Sequence, residues 1–98
     1  MKRQVLAARD IQERRYAGTP FLYNGELNGR ALRKFCKPEP EAAALLAETF
    51  EVLGLSVRAH DRVLKLARTI ADLEGSESIG LSHIAEAIQY RNLDKGNR

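Results

Sequence analysis

Apolar residues recur every three or four positions along most of this chain, which is the spacing of one face of an α-helix. The first such segment runs from Val5 to Tyr16, and the Gly-Thr-Pro sequence of residues 18–20 ends it. Residues 21–29 lack the periodicity and contain an Asn-Gly turn signal. We therefore expect a loop here, with three residues held against the core: Phe21, Leu22 and Tyr23.

Two further helices are predicted in the middle of the chain. Asn28 is in position to cap a short helix through Phe35. The next helix opens at the Pro-Glu-Pro-Glu sequence of residues 38–41, because proline and acidic side chains suit the first turn. Its apolar stripe reaches Leu53, and Gly54 occupies the place of a left-handed C-cap residue.

The fourth helix has the widest apolar stripe, so we expect it at the centre of the bundle. It begins after the N-cap Ser56 and closes at residues 74–76. A last helix is predicted to begin after Ser82, although neither serine has the Glu or Gln three residues later that completes a capping box. The apolar rows of the fourth helix are Val57, Leu64, Ala67 and Ala71, and Val63, Leu66, Ile70 and Leu73.

Short helices joined by brief loops predict an all-α fold, a small bundle of four to five helices. With 98 residues the chain forms one domain at most. Its apolar runs are too short to span a membrane or to form a signal peptide, so a cytoplasmic location is expected. The single cysteine, Cys36, allows no internal disulfide and no thiolate metal cluster, and we expect it to pack in the core.

Positive charge is concentrated in the first third of the chain. Residues 1–37 carry nine Lys or Arg against three acids, a balance of +6, whereas residues 38–98 carry seven against ten, a balance of −3. This asymmetry is typical of solvated faces beside an acidic neighbour, or of a nucleic-acid surface. Asp10 and Glu13 interrupt the arginines of the first helix, and no aromatic residues alternate with them, which favours the first interpretation.

Motifs for self-contained catalysis are absent from the sequence. It contains no G-x-x-x-x-G-K phosphate loop, no H-E-x-x-H or C-x-x-C ligand set and no G-x-S-x-G nucleophile elbow. His60 and His83 fall on different helices without an obvious third ligand, so we expect no metal site and a solvent-facing His60. We therefore predict that this fragment alone is not an enzyme.

Arg58 is the candidate functional residue because of its position. It lies in the first turn of the fourth helix, where the backbone fixes it and where it can reach an anion outside the bundle. The alternative is a local ion pair with Asp61 or Glu74, since a cation in the first turn opposes the helix dipole.

Two later arginines of the same helix differ in the face they occupy. Arg62 lies four residues after Arg58 and shares its face, so it is the second candidate for binding an anion. Arg68 lies on another face, and we expect it to make a structural contact with Asp72 one turn further on.

A specific pattern extends over most of the chain. It comprises residues 56–59 (Ser-Val-Arg-Ala), 62–73 (Arg-Val-Leu-Lys-Leu-Ala-Arg-Thr-Ile-Ala-Asp-Leu) and 83–91 (His-Ile-Ala-Glu-Ala-Ile-Gln-Tyr-Arg). Upstream, Ala8, Arg9, Gln12 and Arg15 follow an A-R-x-x-Q-x-x-R pattern. Together these stretches resemble the C-terminal region of magnesium-chelatase-like AAA+ ATPases of the competence protein ComM type. Residues 28–32 are expected to stand where that family has a short N-A-x-L stretch.

The resemblance implies a small helical lid that follows a P-loop ATPase core. Arg58 matches the arginine of the family's S-x-R-A motif, the sensor-2 residue that touches the γ-phosphate of ATP, and Arg62 is the second nucleotide-binding candidate. Losing the phosphate contact on hydrolysis would let the lid rotate as a rigid body. The implied boundaries are residues 1–20 for a helix leading from the core, 21–91 for the lid and 92–98 for a flexible tail.

For a full-length protein the resemblance implies an ATP-hydrolysing AAA+ enzyme that uses ATP and Mg, neither of which this fragment binds alone. Its partners would be the preceding P-loop ATPase subdomain, neighbouring subunits of a homohexameric ring, and DNA processed in transformation and recombination. Two other classes stay open. One is a free-standing helical DNA-binding module, for which residues 32–35 make a short recognition helix, and the other is a protein–protein adaptor.

Overall fold

The computed structural model describes the backbone of residues 2–96 and the side chains of residues 3–90. Within that part of the chain all regular structure is helical, apart from one isolated bridge between the backbones of Pro38 and Ile79. The predicted all-α bundle of four to five helices is therefore confirmed. The helices are α1 (Lys2–Tyr16), α2 (Gly29–Phe35), α3 (Pro40–Leu53), α4 (Val57–Leu73) and α5 (Leu81–Gly96), with a 3₁₀ turn, η1, at Asn24–Glu26.

Helix α4 lies at the centre of the bundle, as the width of its apolar stripe predicts. It packs against α5, α1 and η1, while α3 packs against α5. The two ends of the stripe are less buried than predicted: Val57 is 71% exposed and Leu73 is 36% exposed. A helix of 17 residues is about 25 Å long, and its terminal turns reach the bundle surface. The middle of the stripe is buried: Val63, Leu64, Ala67, Ile70 and Ala71.

The connection between α3 and α4 has the caps that the sequence predicts. Gly54 has φ 61° and ψ 42°, a left-handed conformation that a residue with a side chain adopts only at a cost. The hydroxyl of Ser56 accepts a hydrogen bond from the backbone N–H of Ala59 at 3.1 Å, which makes Ser56 the N-cap of α4. The turn between the helices is thereby held to three residues, and the start of α4 is fixed.

Helix α5 begins before Ser82, so the predicted start is wrong. The carbonyl of Gly80 accepts the first helical bonds, from the N–H groups of His83 and Ile84 at 3.1 and 3.3 Å. In return, Nδ1 of His83 accepts a hydrogen bond from the N–H of Gly80 at 2.8 Å. The imidazole thus accepts the same hydrogen bond as the glutamate of a capping box. A pattern restricted to Glu or Gln at this position does not predict it.

The segment between α1 and α2 is a loop as predicted, but its buried residues differ from the expected ones. Phe21 packs against the core, whereas Leu22 is 73% exposed and Tyr23 is 56% exposed, so their predicted burial is wrong. The inward places are taken by Asn24 and Leu27, at 1% and 0% exposure. Asn24, the first residue of η1, hydrogen-bonds to Thr69 and Asp72 of α4, and Leu27 belongs to the core cluster. Asn28 stands at the N-cap of α2 as predicted, without a side-chain hydrogen bond to the helix.

The C-terminal helix continues past residue 91, since the backbone is helical through Gly96. The flexible tail predicted for residues 92–98 falls on side chains outside the described set, and residues 97 and 98 lie outside it entirely. The division between residues 1–20 and 21–91 stays a prediction. In the described part of the chain, no helix combines the length and the apolar character needed to cross a membrane.

Candidate functional site

Arg58 extends from the first turn of α4 and is exposed to solvent. Among the side chains that the structure describes, no carboxylate lies within 4 Å of its guanidinium. The two acids considered as local partners lie elsewhere: Asp61 is 3.4 Å from Nδ1 of His60, and Glu74 is 3.1 Å from Nε2 of His83. The Arg58 guanidinium is therefore free to contact an anion outside the bundle.

Arg62 is exposed one turn further along α4, and its described neighbours likewise include no ion-pair partner. Because residues four apart share a helix face, the two predicted site residues present their cations on the same side of α4. His60 does not simply face solvent as predicted. Only 33% of its side chain is exposed, because its ring packs edge-on against that of Phe50, with 5.4 Å between the ring centroids.

Three exposed apolar residues at the end of α3 and the start of α4 stand within six positions of Arg58 in the chain. Val52 is 75% exposed, Leu53 50% and Val57 71%, and we call these three residues together with Arg58 the α3–α4 corner. A groove of about 940 Å³ opens beside the corner, between α2, α3 and α4. Several exposed apolar side chains close together are typical of a protein contact site, whereas single ones are ordinary surface. The groove is lined by Leu32, Arg33, Phe50, Leu55, Val57 and Leu64, among others.

A buried polar cluster occupies the opposite end of α4. Its centre is Asp72, which is 0% exposed and accepts two hydrogen bonds from the guanidinium of Arg15, at 2.6 and 2.9 Å. Asn24 donates to the same carboxylate at 2.9 Å and accepts a hydrogen bond from the hydroxyl of Tyr16. The hydrogen bond to Asp72 raises the pKa of Arg15, against the effect of burial. The polar cluster consists of Arg15, Tyr16, Asn24, Arg68, Thr69 and Asp72.

The predicted contact between Arg68 and Asp72 is confirmed, with 3.2 Å between Nη2 and Oδ1. Arg68 also donates to the carbonyls of Ser76 and Glu77 at 2.9 and 3.1 Å, which holds the chain that follows α4. Burial lowers the pKa of Arg68, and the charge of Asp72 opposes that change. Arg68 is thus a buried structural residue, whereas Arg58 on the same helix is exposed.

Sequence reasoning missed the role of Asn24 because its partners are distant along the chain. The A-R-x-x-Q-x-x-R pattern contained the signal: Gln12 accepts a hydrogen bond from the backbone N–H of Asn24 at 3.1 Å, and Arg15 contacts its side chain at 3.2 Å. The placement of the N-A-x-L stretch at residues 28–32 stays a prediction. Asn24 and Leu27 of the loop are both buried, and so is Leu32 of the predicted stretch.

Cys36 packs in the core as predicted, at 1% exposure. Burial raises the pKa of its thiol from 9.0 to about 11, so the unreactive protonated form prevails at neutral pH. His83 is also buried and is engaged by Gly80 and Glu74. Within the described residues, no three His, Cys, Asp or Glu side chains come together in a way that could hold a metal ion.

These features define a small helical domain. Its central helix presents two exposed arginines at one end, with no ion-pair partner among the described side chains, and is tied into a buried polar cluster at the other. Residues 1–91 match the family described as "Magnesium chelatase, subunit ChlI C-terminal". The chain belongs to that family, and the resemblance drawn from residues 56–59, 62–73 and 83–91 is confirmed.

Curated relatives agree with the family match. The chain is 41% identical over 95 residues to the protein YifB of Salmonella typhimurium and 43% identical over 93 residues to the competence protein ComM of Haemophilus influenzae. These alignments cover 97% and 95% of this chain. In each case they cover only 18% of the relative, so the chain spans less than a fifth of the length of the relatives it matches.

Proposed function

We propose that this chain is the C-terminal lid of a magnesium-chelatase-like AAA+ ATPase, and that Arg58 contacts the γ-phosphate of ATP held mainly by another subdomain. The observation that carries the proposal is the exposed Arg58 guanidinium, fixed in the first turn of α4 by the Ser56 cap. A guanidinium is permanently charged and offers several donors in a planar fork, which suits a phosphate group.

The location of Arg58 is unfavourable for the isolated helix. The first turn of an α-helix carries the positive end of the macrodipole, so a cation there costs about 0.3–1 kcal/mol. No described side chain offsets this cost with a carboxylate within 4 Å. A bound phosphate would offset it, and Arg62 on the same face would supply a second positive charge to the nucleotide or to a neighbouring subunit.

The α3–α4 corner supports the docking that this role requires. Val52, Leu53 and Val57 expose apolar surface where α3 ends and α4 begins, and burying them against an ATPase subdomain would exclude water from a phosphate contact at Arg58. The α3–α4 corner would then move with the nucleotide state, and the lid would pass that movement to adjacent subunits of a ring, which we propose is a homohexamer. Mg²⁺ would enter with ATP, held by residues of the other subdomain.

The ComM relative is named as a competence protein. On that basis we propose that the full-length protein is a ComM-like motor acting on DNA. The exposed α3–α4 corner and the family membership support a lid over a free-standing DNA-binding module. A recognition helix at residues 32–35 would have to lie in α2, which has only seven residues.

The test is ATP turnover by the full-length protein with Arg58→Ala. We expect turnover to fall about tenfold or more, because one charged contact to the transferring phosphoryl group is lost. Arg62→Ala should have a smaller effect. Arg30→Ala, which removes an exposed cation from α2, is the matched control and should leave turnover unchanged. Wild-type turnover by a folded Arg58→Ala protein would remove Arg58 from the nucleotide site.

A further inference from the structure

Helix α1 buries few of its described side chains, since only Ala8 and Tyr16 are buried. Residues 3–7 are all exposed, including Val5 and Leu6 at 48% and 54%. The first buried residue is Ala8, and the next is Tyr16. The ring of Tyr16 packs edge-on against that of Phe35, with 5.1 Å between the ring centroids. Apart from this aromatic anchor, α1 contributes little apolar area to the core, so its packing on α4 depends strongly on polar contacts.

The strongest polar contact between α1 and α4 is the pair Arg15–Asp72, which we call the latch. Two hydrogen bonds of 2.6 and 2.9 Å join the two side chains across 57 positions of the chain. Both bonds are charge-assisted and lie in a largely dry environment, since 15% of the Arg15 side chain and 0% of the Asp72 side chain are exposed.

Asp72 keeps other partners if the latch opens. Arg68, one turn earlier on the same helix, lies 3.2 Å from Oδ1 of Asp72, and Asn24 donates to Oδ2 at 2.9 Å. Arg68 is itself held by the carbonyls of Ser76 and Glu77, so it does not depend on α1 for its position. Opening a buried ion pair is normally prohibitive because it leaves an uncompensated charge. Here the carboxylate would stay paired with Arg68.

We propose that the latch is releasable: Arg15 can leave Asp72 and let α1 swing away from α4 about Tyr16, while the rest of the bundle stays folded. Arg68 makes the release possible because it keeps Asp72 neutralised in both states. The latch itself is a property of this chain. Its use rests on the proposed function: if α1 leads from an ATPase subdomain, the closed latch couples that subdomain to the helix that carries Arg58, and the open latch uncouples them.

The test is backbone hydrogen–deuterium exchange of the 98-residue chain with Arg15→Met. The variant opens the latch and keeps the apolar stem of the side chain. We expect the amides of α1 to exchange about tenfold or more faster, because an undocked helix of this length is only marginally stable in water. The amides of α4 and α5 should keep their wild-type exchange rates.

Arg68→Met is the matched control, since it removes the other guanidinium from the same carboxylate. Among the described side chains it leaves Arg15 as the one cationic partner of Asp72, so α1 should stay at least as protected relative to α4 as in the wild-type chain. Equal acceleration of α1, α4 and α5 by Arg15→Met would overturn the proposal, as would no acceleration, loss of the whole fold, or selective release of α1 by Arg68→Met. None of these exchange results depends on whether Arg58 binds a nucleotide.

Discussion

The two ends of α4 place the same pair of residue types in opposite situations. Arg58 has Asp61 three positions later, and Arg68 has Asp72 four positions later, so each arginine has an acid within reach on its own helix. Only the second pair forms. The two ends of α4 differ in what packs over them. Helix α1 and η1 cover the polar cluster at the C-terminal end of α4, and Arg15 of α1 forms a second ion pair with Asp72 there.

Burial rather than sequence spacing therefore decides which arginine is structural. An exposed ion pair gains little, because water screens both charges and the side chains lose freedom. In the buried polar cluster the same attraction is stronger. Arg15 and Asn24 donate hydrogen bonds to the Asp72 carboxylate, and the Arg68 guanidinium lies 3.2 Å from it as an ion pair. The exposed Arg58 is left available for a ligand, and the buried Arg68 is not.

The largest effect should come from Asp72→Asn, which keeps the shape of the side chain and removes its charge. Two guanidinium groups would then lack their shared counter-ion, and breaking a buried pair in this way costs about 3–5 kcal/mol. Urea denaturation followed by circular dichroism measures the free energy of unfolding directly.

Asp10→Asn is the control for the same chemistry at the surface. Asp10 lies 3.0 Å from Arg14 in an i, i+4 pair whose side chains are 63% and 74% exposed. Its loss should change the free energy of unfolding by about 0.5 kcal/mol or less. Similar losses from Asp72→Asn and Asp10→Asn would refute the contrast between buried and exposed pairs.

A second effect should appear as the pH is raised. Burial raises the pKa of the Cys36 thiol to about 11, whereas the thiol ionises near 9 in the unfolded chain. Between these values the unfolded state binds fewer protons than the native state, so the free energy of unfolding should fall as pH increases. Urea denaturation of the wild-type chain at several pH values between 8 and 11 measures how steeply the free energy of unfolding falls with pH.

Cys36→Ala should remove most of that slope above pH 9. Burial also raises the pKa of Tyr16 above its usual 10, so a residual fall at the alkaline end is expected in the variant. A slope that is unchanged in Cys36→Ala would show that the thiol does not contribute, and that the interior around Cys36 is wetter than its 1% exposure indicates.

Sequence periodicity was sufficient for the helices because local signals define them. The apolar stripe of α4, the cap at Ser56 and the left-handed Gly54 act within a few residues of themselves. The contact between Arg68 and Asp72 was also predictable, since it joins successive turns of one helix. The candidate site shares this property: the position and exposure of Arg58 follow from the start of α4.

What sequence reasoning could not find lies between elements that are distant along the chain. The bond from Arg15 to Asp72 requires α1 to lie across α4, and no spacing rule connects residues 57 positions apart. The sequence prediction missed the cap at His83 for a different reason: here an imidazole accepts the hydrogen bond that a carboxylate or amide usually accepts in a capping box. The exposure of Tyr23 depends on the direction of η1, which single residue types do not determine.

The smallest effect, and the one that separates stability from function, is expected from Arg58→Glu. Replacing a cation by an anion in the first turn of α4 should raise the free energy of unfolding by about 0.5–1 kcal/mol, because the charge then complements the helix dipole. The same change should abolish the proposed phosphate contact in the full-length protein. Arg62→Glu lies in the second turn, where the dipole acts weakly, and should leave stability nearly unchanged. A gain in stability confined to Arg58→Glu would show that Arg58 is retained at a cost to the fold. A loss would mean that its guanidinium stabilises this domain itself, and the ligand would no longer be needed to explain it.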